Sequence, residues 1–243
     1  MPALATLAQL RTMVRELADM ETATPTSHFV DDTELTSRIN DALKQLYDKL
    51  ILANGQEYYA TSSPAALFVA DTSAYTLPTG AGGTPPFYRL LGMRVTDGTR
   101  WADVPTWSQR DRVMLLNRTL TGGITIYEYR YRLQAQTVVV LPIPQTAHQY
   151  VLDYVPAFVP LSLVGDTFDG VNGWERWAAL TSAIDLANKE EADPSGLVAQ
   201  RAVIDEQIQR LAGSRDQGRP ERVQDARQDG RTRLRPYVWG TTV

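Results

Sequence analysis

Apolar residues recur at helical spacing along the first fifty positions. Leu4, Leu7, Leu10 or Val14, and Leu17 lie three or four residues apart, which predicts an amphipathic helix over about Leu4–Met20. The stretch TATPTSH, broken by Pro25, interrupts it. A second helix has a complete start signal. Asp31 fits the N-cap, Glu34 stands three residues on as capping-box partner, and Val30 and Leu35 fit a hydrophobic staple. Its apolar stripe is Leu35, Ile39, Leu43, Leu46 and Leu50. Arg38, Asp41, Lys44 and Asp48 occupy the opposite face, and Asn54-Gly55 provides a stop.

From about Ala65 to Val159 the pattern shortens to apolar runs punctuated by Gly and Pro. Strands are expected at Leu67–Val69 with Ala74–Leu77, at Tyr88–Val95, Ile124–Arg132, Thr137–Leu141 and Tyr150–Val155. In Ile124–Arg132 the alternation puts Tyr127, Tyr129 and Tyr131 on one face and Glu128, Arg130 and Arg132 on the other. Between strands, Trp107–Asn117 reads as a short helix with Ser108 near its cap.

The last third returns to helical spacing. Asn172 and Glu175 fit a second capping box ahead of Trp174, Trp177, Leu180, Ile184 and Ala187, and this helix is expected to end around Glu191. Asp193 then caps a further helix with Pro194 in its first position and a stripe of Leu197, Ile204, Ile208 and Leu211; Gly213 ends it. Each helix of the two pairs has one apolar face to bury, so the pairs are expected to pack together. The fold class expected is α+β, a bundle of about four helices with an inserted small antiparallel β module and an extended C-terminal arm. The divisions are 1–60 for the first helix pair, 61–165 for the β module with its short helix, 166–213 for the second pair, and 214–243 for the arm.

Composition narrows the chemistry. The chain has 243 residues, 43% of them hydrophobic and 9% aromatic, enough for a substantial core. It has no cysteine, which excludes disulfides, thiolate metal sites and cysteine nucleophiles, and points to a reducing compartment. No run of apolar residues is long enough to span a membrane, and the N-terminus lacks the layout of a signal peptide. The formal net charge is −4, against a nucleic-acid binder overall, but it is unevenly spread. Ser214–Val243 carries seven Arg and four acids, a net +3, and leaves −7 on Met1–Gly213. The arm is too poor in apolar residues to fold alone. Arg215, Arg219, Arg222, Arg227, Arg231, Arg233 and Arg235 suit bidentate pairing with carboxylates or phosphates, and Tyr237 and Trp239 suit anchors on a partner surface; the alternative is a solvated tail.

Catalytic signals are sparse. The two histidines, His28 and His148, have no metal-ligand neighbours at helix or strand spacing. No nucleophile elbow, zinc-protease, phosphate-loop or dinucleotide motif occurs, and Gly80–Gly83 runs into Thr84-Pro85-Pro86, which is turn chemistry. Asp166–Gly173 resembles a calcium loop in composition but lacks its alternating acids and closing Glu, and helix capping accounts for Asn172 more simply. Asp31-Asp32 and Glu190-Glu191 are sequence neighbours on helices and diverge, so neither is a general acid/base couple. The Tyr/Arg strand could clamp single-stranded nucleic acid, but a half-buried strand with a salt-bridged outer face is the simpler reading. No catalytic, cofactor or metal residues are expected.

The segments TLAQLRTMVREL, FVDDTELTSRINDALKQLYDKL and YVPAF followed by GDTFDGVNGWERWAALTSAIDLANKEEAD, then a further helix and a basic tail, resemble the head-to-tail adaptor (head-completion, connector) proteins of tailed bacteriophages. FYRLLGMRV and WSQRDRVMLLN extend the likeness weakly, and Thr79–Pro86 departs from it as a small insertion. Asp166–Trp177 with Tyr154-Val155-Pro156 is its most specific part. The resemblance implies a structural virion protein that forms a ring, commonly of about twelve copies, under the portal protein. Implied partners are the portal, neighbouring copies, the tail tube, nozzle or terminator proteins, and genomic DNA passing through the lumen without sequence-specific binding. No membrane is involved. The implied location is the neck of the virion, assembled in the host cytoplasm. The C-terminal arm would reach the portal, and an acidic channel wall would let DNA slide past. Rival readings are another neck or tail ring component, such as a stopper or terminator, and a DNA-binding module that uses the Arg-rich arm.

Overall fold

The first helix begins three residues later than its apolar spacing predicts. In the computed structural model, which describes residues 4–19, 30–55, 58–116, 125–171 and 173–211, Ala5–Thr6 forms a short strand, β1, and α1 spans Leu7–Leu17. Thr6 explains the shift. Its hydroxyl accepts the Gln9 N–H at 3.2 Å, while the Gln9 side-chain oxygen accepts the Thr6 N–H at 2.9 Å, a capping box that fixes Thr6 outside the helix. Leu7, Leu10 and Val14 are buried, Leu17 is half-buried, and Leu4, upstream of the cap, is exposed.

α2 (Asp32–Leu50) starts as expected, with the Asp31 carboxylate accepting the Glu34 N–H at 2.6 Å. The box is not reciprocated, because the Glu34 carboxylate instead accepts from Arg38 and Lys189. The whole predicted stripe from Leu35 to Leu50 is buried, as is Val30. The helix passes into a π-helical turn over Ile51–Gly55.

The β region is built from β2 (Thr61–Ser62), β3 (Ala66–Leu67), β4 (Ala74–Thr76), β5 (Phe87–Thr96), β6 (Trp101–Asp103), β7 (Arg130–Gln134), β8 (Thr137–Leu141) and β9 (Gln149–Pro156). One sheet has the order β2-β9-β5-β6, with β3 also on β9, and the second has the order β4-β8-β7. Every named pair is antiparallel. Between β6 and β7, a 3₁₀ turn Gln109–Asp111 leads into α3 (Arg112–Leu116), and Ser108 caps it with Asp111 as box partner. The aromatic core holds Phe68, Tyr75, Tyr129, Tyr150 and Tyr154, with Phe68 stacked on Tyr150 at 4.9 Å between centroids.

The expected strand Ile124–Arg132 is corrected. Ile126–Glu128 is a turn, held by the Glu128 carboxylate accepting from the Thr125 N–H and hydroxyl, and pairing starts only at Arg130. The three tyrosines therefore do not share a face. Tyr129 and Tyr131 are buried, whereas Tyr127 is 60% exposed. Ile124 lies outside the described residues.

β10 (Thr167–Phe168) pairs with β1 and so ties the start of the described chain to the entry of α4 (Glu175–Lys189). The expected Asn172/Glu175 capping box is also corrected. Trp174 holds the N-cap position without a side-chain bond, the Glu175 carboxylate accepts the Gly170 N–H at 2.8 Å, and Asn172 lies outside the described residues. From Trp177 to Ile184 every residue of α4 is buried. Eight consecutive residues cover all sides of a helix, so α4 has no solvent face there, contrary to the single apolar face expected. Its neighbours are α1, α2 and α5 (Ser195–Leu211). α5 is the reverse case. Of its predicted stripe only Ile208 is fully buried; Leu197 and Ile204 are half-buried and Leu211 is exposed.

The chain is thus of mixed α+β class, with helices around one core and strands around another. β9 joins them, since Tyr150, Leu152 and Tyr154 point into the β core and Val155 into the helical one. The Thr6 cap gives a test. Thr6→Ala should lower unfolding free energy by about 1 kcal/mol in denaturant titration, and an unchanged midpoint would show that the box contributes nothing to stability.

Candidate functional site

The residues singled out as partner-binding, Arg215, Arg219, Arg222, Arg227, Arg231, Arg233, Arg235, Tyr237 and Trp239, all lie outside the described residues, as does His28. His148 is described. Its Nδ1 lies 3.2 Å from the Tyr129 hydroxyl, whose pKa is pushed up to about 12, mainly by burial.

The segment Asp166–Trp177 is densely cross-linked by polar contacts. Each of its carboxylates has protein donors. The Asp166 carboxylate accepts the N–H groups of Leu163 and Ser162, both at 2.7 Å, and these bonds hold it below the usual carboxylate range. Asp169 accepts from the Tyr58 hydroxyl at 2.6 Å and from the Val171 N–H, while its carbonyl accepts from the Tyr59 hydroxyl at 2.8 Å. Burial, then the nearby Asp169 charge, pushes the Tyr59 phenol up. Glu175 is 6% exposed and packs directly under Gly170. A methyl group on Gly170 would lie 2.6 Å from the Glu175 carboxyl carbon and 2.8 Å from its backbone nitrogen. Among the described residues no group of three acids or histidines is arranged to hold a metal ion.

Next to this loop, Asp205 of α5 accepts from the indole nitrogen of Trp177 at 2.7 Å and pairs with Lys49 of α2. Lys49 and Arg201 also flank the Trp177 ring, at 4.6 and 5.9 Å from its centroid. Three helices therefore meet on one tryptophan. An open groove of about 410 Å³ runs alongside, between Trp174, Arg176, Gln200, Val203 and Ile204; the Arg176 guanidinium there donates to Gln200 at 3.3 Å. This arrangement fixes elements to one another and offers no nucleophile paired with a base.

One surface is more distinctive. On α3, Leu115 is buried with Trp107 and Leu141, whereas Val113, Met114 and Leu116 are 67%, 66% and 45% exposed. Arg110 and Arg112 flank them and are also exposed, and Arg130 and Arg132 point to the same side of β7, opposite Tyr131. Arg132 lies over the Trp107 ring at 5.4 Å, and Arg130 acts on Asp111 electrostatically. The sequence held the signal for this face. Four consecutive apolar residues, Val113–Leu116, cannot all point inward from a helix that turns about 100° per residue.

No protein-family model and no curated protein matches the chain.

The Gly170–Glu175 contact can be tested directly. Gly170→Ala should cost on the order of 2 kcal/mol, read as a lower denaturant midpoint, because backbone as well as side chain must move. Gly92→Ala, where the added methyl meets nothing within 4 Å, should cost less than half as much. Equal effects would mean that the loop yields freely.

Proposed function

We propose that this protein is a structural subunit of a tailed-bacteriophage neck, a head-to-tail adaptor that docks on the portal vertex, extends the DNA channel and presents a surface for tail attachment. On this reading residues 1–60 and 166–213 form a helical bundle, 61–165 are a β module inserted between its halves, and 214–243 are an arm directed to the portal. Copies form a ring, with DNA passing through the lumen.

The observation that carries the reading is where the quoted segments fall in the fold. Asp166–Trp177 and Tyr154–Pro156, the most specific part of the likeness, meet at the junction of helices and sheets. The Pro156 carbonyl accepts the Tyr47 hydroxyl of α2 at 2.6 Å, Val155 enters the helical core, and Trp177 joins α2, α4 and α5. A pattern that determines how a subunit is held together, with its polar groups spent on internal bonds, fits a building block better than a catalyst. The arm's arginines suit an acidic groove on the portal, with Tyr237 and Trp239 as anchors.

Deletion of Arg231–Val243 tests this. The truncated protein should keep its far-ultraviolet circular dichroism and its melting temperature, and should fail to decorate purified portal rings. Normal decoration by the truncated chain would contradict the assignment of the arm.

A further inference from the structure

Charge is segregated within Met1–Gly213. Residues 61–165 carry eight arginines against six acids, whereas the flanking helical segments, 1–60 and 166–213, carry nine basic residues against eighteen acids. The fold sharpens this difference. Lys189 at the end of α4 reaches Glu34 at the start of α2, and Arg15 near the end of α1 pairs with Asp32. Asp205, ten residues into α5, reaches the start of α4 at Trp177 and the end of α2 at Lys49. Hence α1 and α4 run together, α2 and α5 run against them, and the ends of α1 and α4 gather with the starts of α2 and α5 at one pole. The β region attaches at the opposite pole, where the Tyr47 hydroxyl meets Pro156. The 19 residues of α2 separate the two poles by roughly 28 Å.

At the distal pole Asp19, Asp185, Glu190 and Glu191 are exposed, and among the described residues none of these carboxylates is in an ion pair. The outer face of α3 carries the complement. Its apolar residues Val113, Met114 and Leu116 stand in water beside Arg110, Arg112 and Arg130, none of which has a carboxylate within ion-pair distance among the described residues. Asp111, which lies between Arg110 and Arg112 in the chain and feels the Arg130 charge, has its carboxylate bonded to the Ser108 N–H and hydroxyl.

We infer that the α3 face of one copy docks on the acidic helical pole of a second copy, so that copies associate head to tail. Exposed apolar side chains supply burial, and arginines facing carboxylates, each without an ion pair among the described residues, fix the orientation and oppose pairing of like faces. Two different patches in contact make a heterologous interface, which generates a ring where the rotation closes. The inference rests on the reading of the chain as a ring subunit and adds which surfaces meet.

The absence of cysteine makes engineered thiols unique reporters. In the full chain, Val113→Cys/Ala192→Cys should oxidise at low salt to a ladder of covalent dimers, trimers and higher species. Leu52→Cys/Ala192→Cys, with the thiol on another exposed residue, sets the collision background. Mixing the two single variants Val113→Cys and Ala192→Cys should stop at dimers. Adding Arg110→Glu/Arg112→Glu should reduce the ladder at least tenfold, and combining it with Glu190→Arg/Glu191→Arg should restore it. A ladder no stronger than the background, one indifferent to charge reversal, or a Val113→Cys chain that links efficiently to itself would overturn the inference. So would duplex DNA that bound to the α3 face and displaced the cross-links. Portal decoration is scored separately, so a missing ladder with normal decoration rejects this interface and leaves the adaptor reading standing.

Discussion

The structure depends on the enclosure of α4. Two turns of this helix are buried on every side, and they are rich in small residues, Ala178, Ala179, Ser182 and Ala183. Small side chains let neighbouring helices approach closely, and the two buried hydroxyls there are satisfied within the helix, Thr181 on the Trp177 carbonyl and Ser182 on that of Ala178. Such a helix has no stable existence apart from its neighbours, and the neighbours bury their own stripes against it. α1 contributes Leu7, Leu10 and Val14, and α2 contributes the row from Leu35 to Leu50. Segments far apart in the chain are therefore held by one element, and the β1–β10 pairing and the Glu34–Lys189 contact close the same loop.

Which parts were legible in the sequence follows from how local their physics is. α2 could be read almost residue by residue, because an N-cap, a staple and a 3.6-residue stripe are all short-range signals. β8 matched residue for residue and β9 to within one residue at each end, since continuous apolar runs bounded by turns leave few alternatives. The start of α1 was also written in the chain, as Thr6 and Gln9 three residues apart, but the apolar Leu4 masked it. The Tyr127–Arg132 alternation misled for a different reason. Period-two spacing says which way side chains would point in a strand, but Glu128 bonding back to Thr125 makes a turn of residues 126–128, so the strand begins only at Arg130. The cap of α4 was misassigned because a Glu three residues after an Asn fits two geometries, and the close approach of Gly170 selects the other.

The candidate surfaces divide the same way. The arginine-rich stretch 214–243 was conspicuous as composition and lies outside the described residues. The α3 face was hidden in a short helix, and its meaning depends on tertiary placement. Arg110 and Arg112 join Arg130 and Arg132 only because β7 lies where Thr106 bridges Tyr131. The separation of an acidic helical pole from a basic, partly apolar face around α3 gives the chain a polarity, which an even charge distribution would not.

Native-state hydrogen exchange measures the enclosure of α4 directly. If α4 holds the helices together, the amides of Ala179–Ala183 exchange only through global unfolding, with the same opening free energy and denaturant dependence as those of Leu10–Val14 in α1 and Leu43–Leu46 in α2. Exchange of the α4 amides through a smaller opening, while α1 and α2 stay protected, would contradict it.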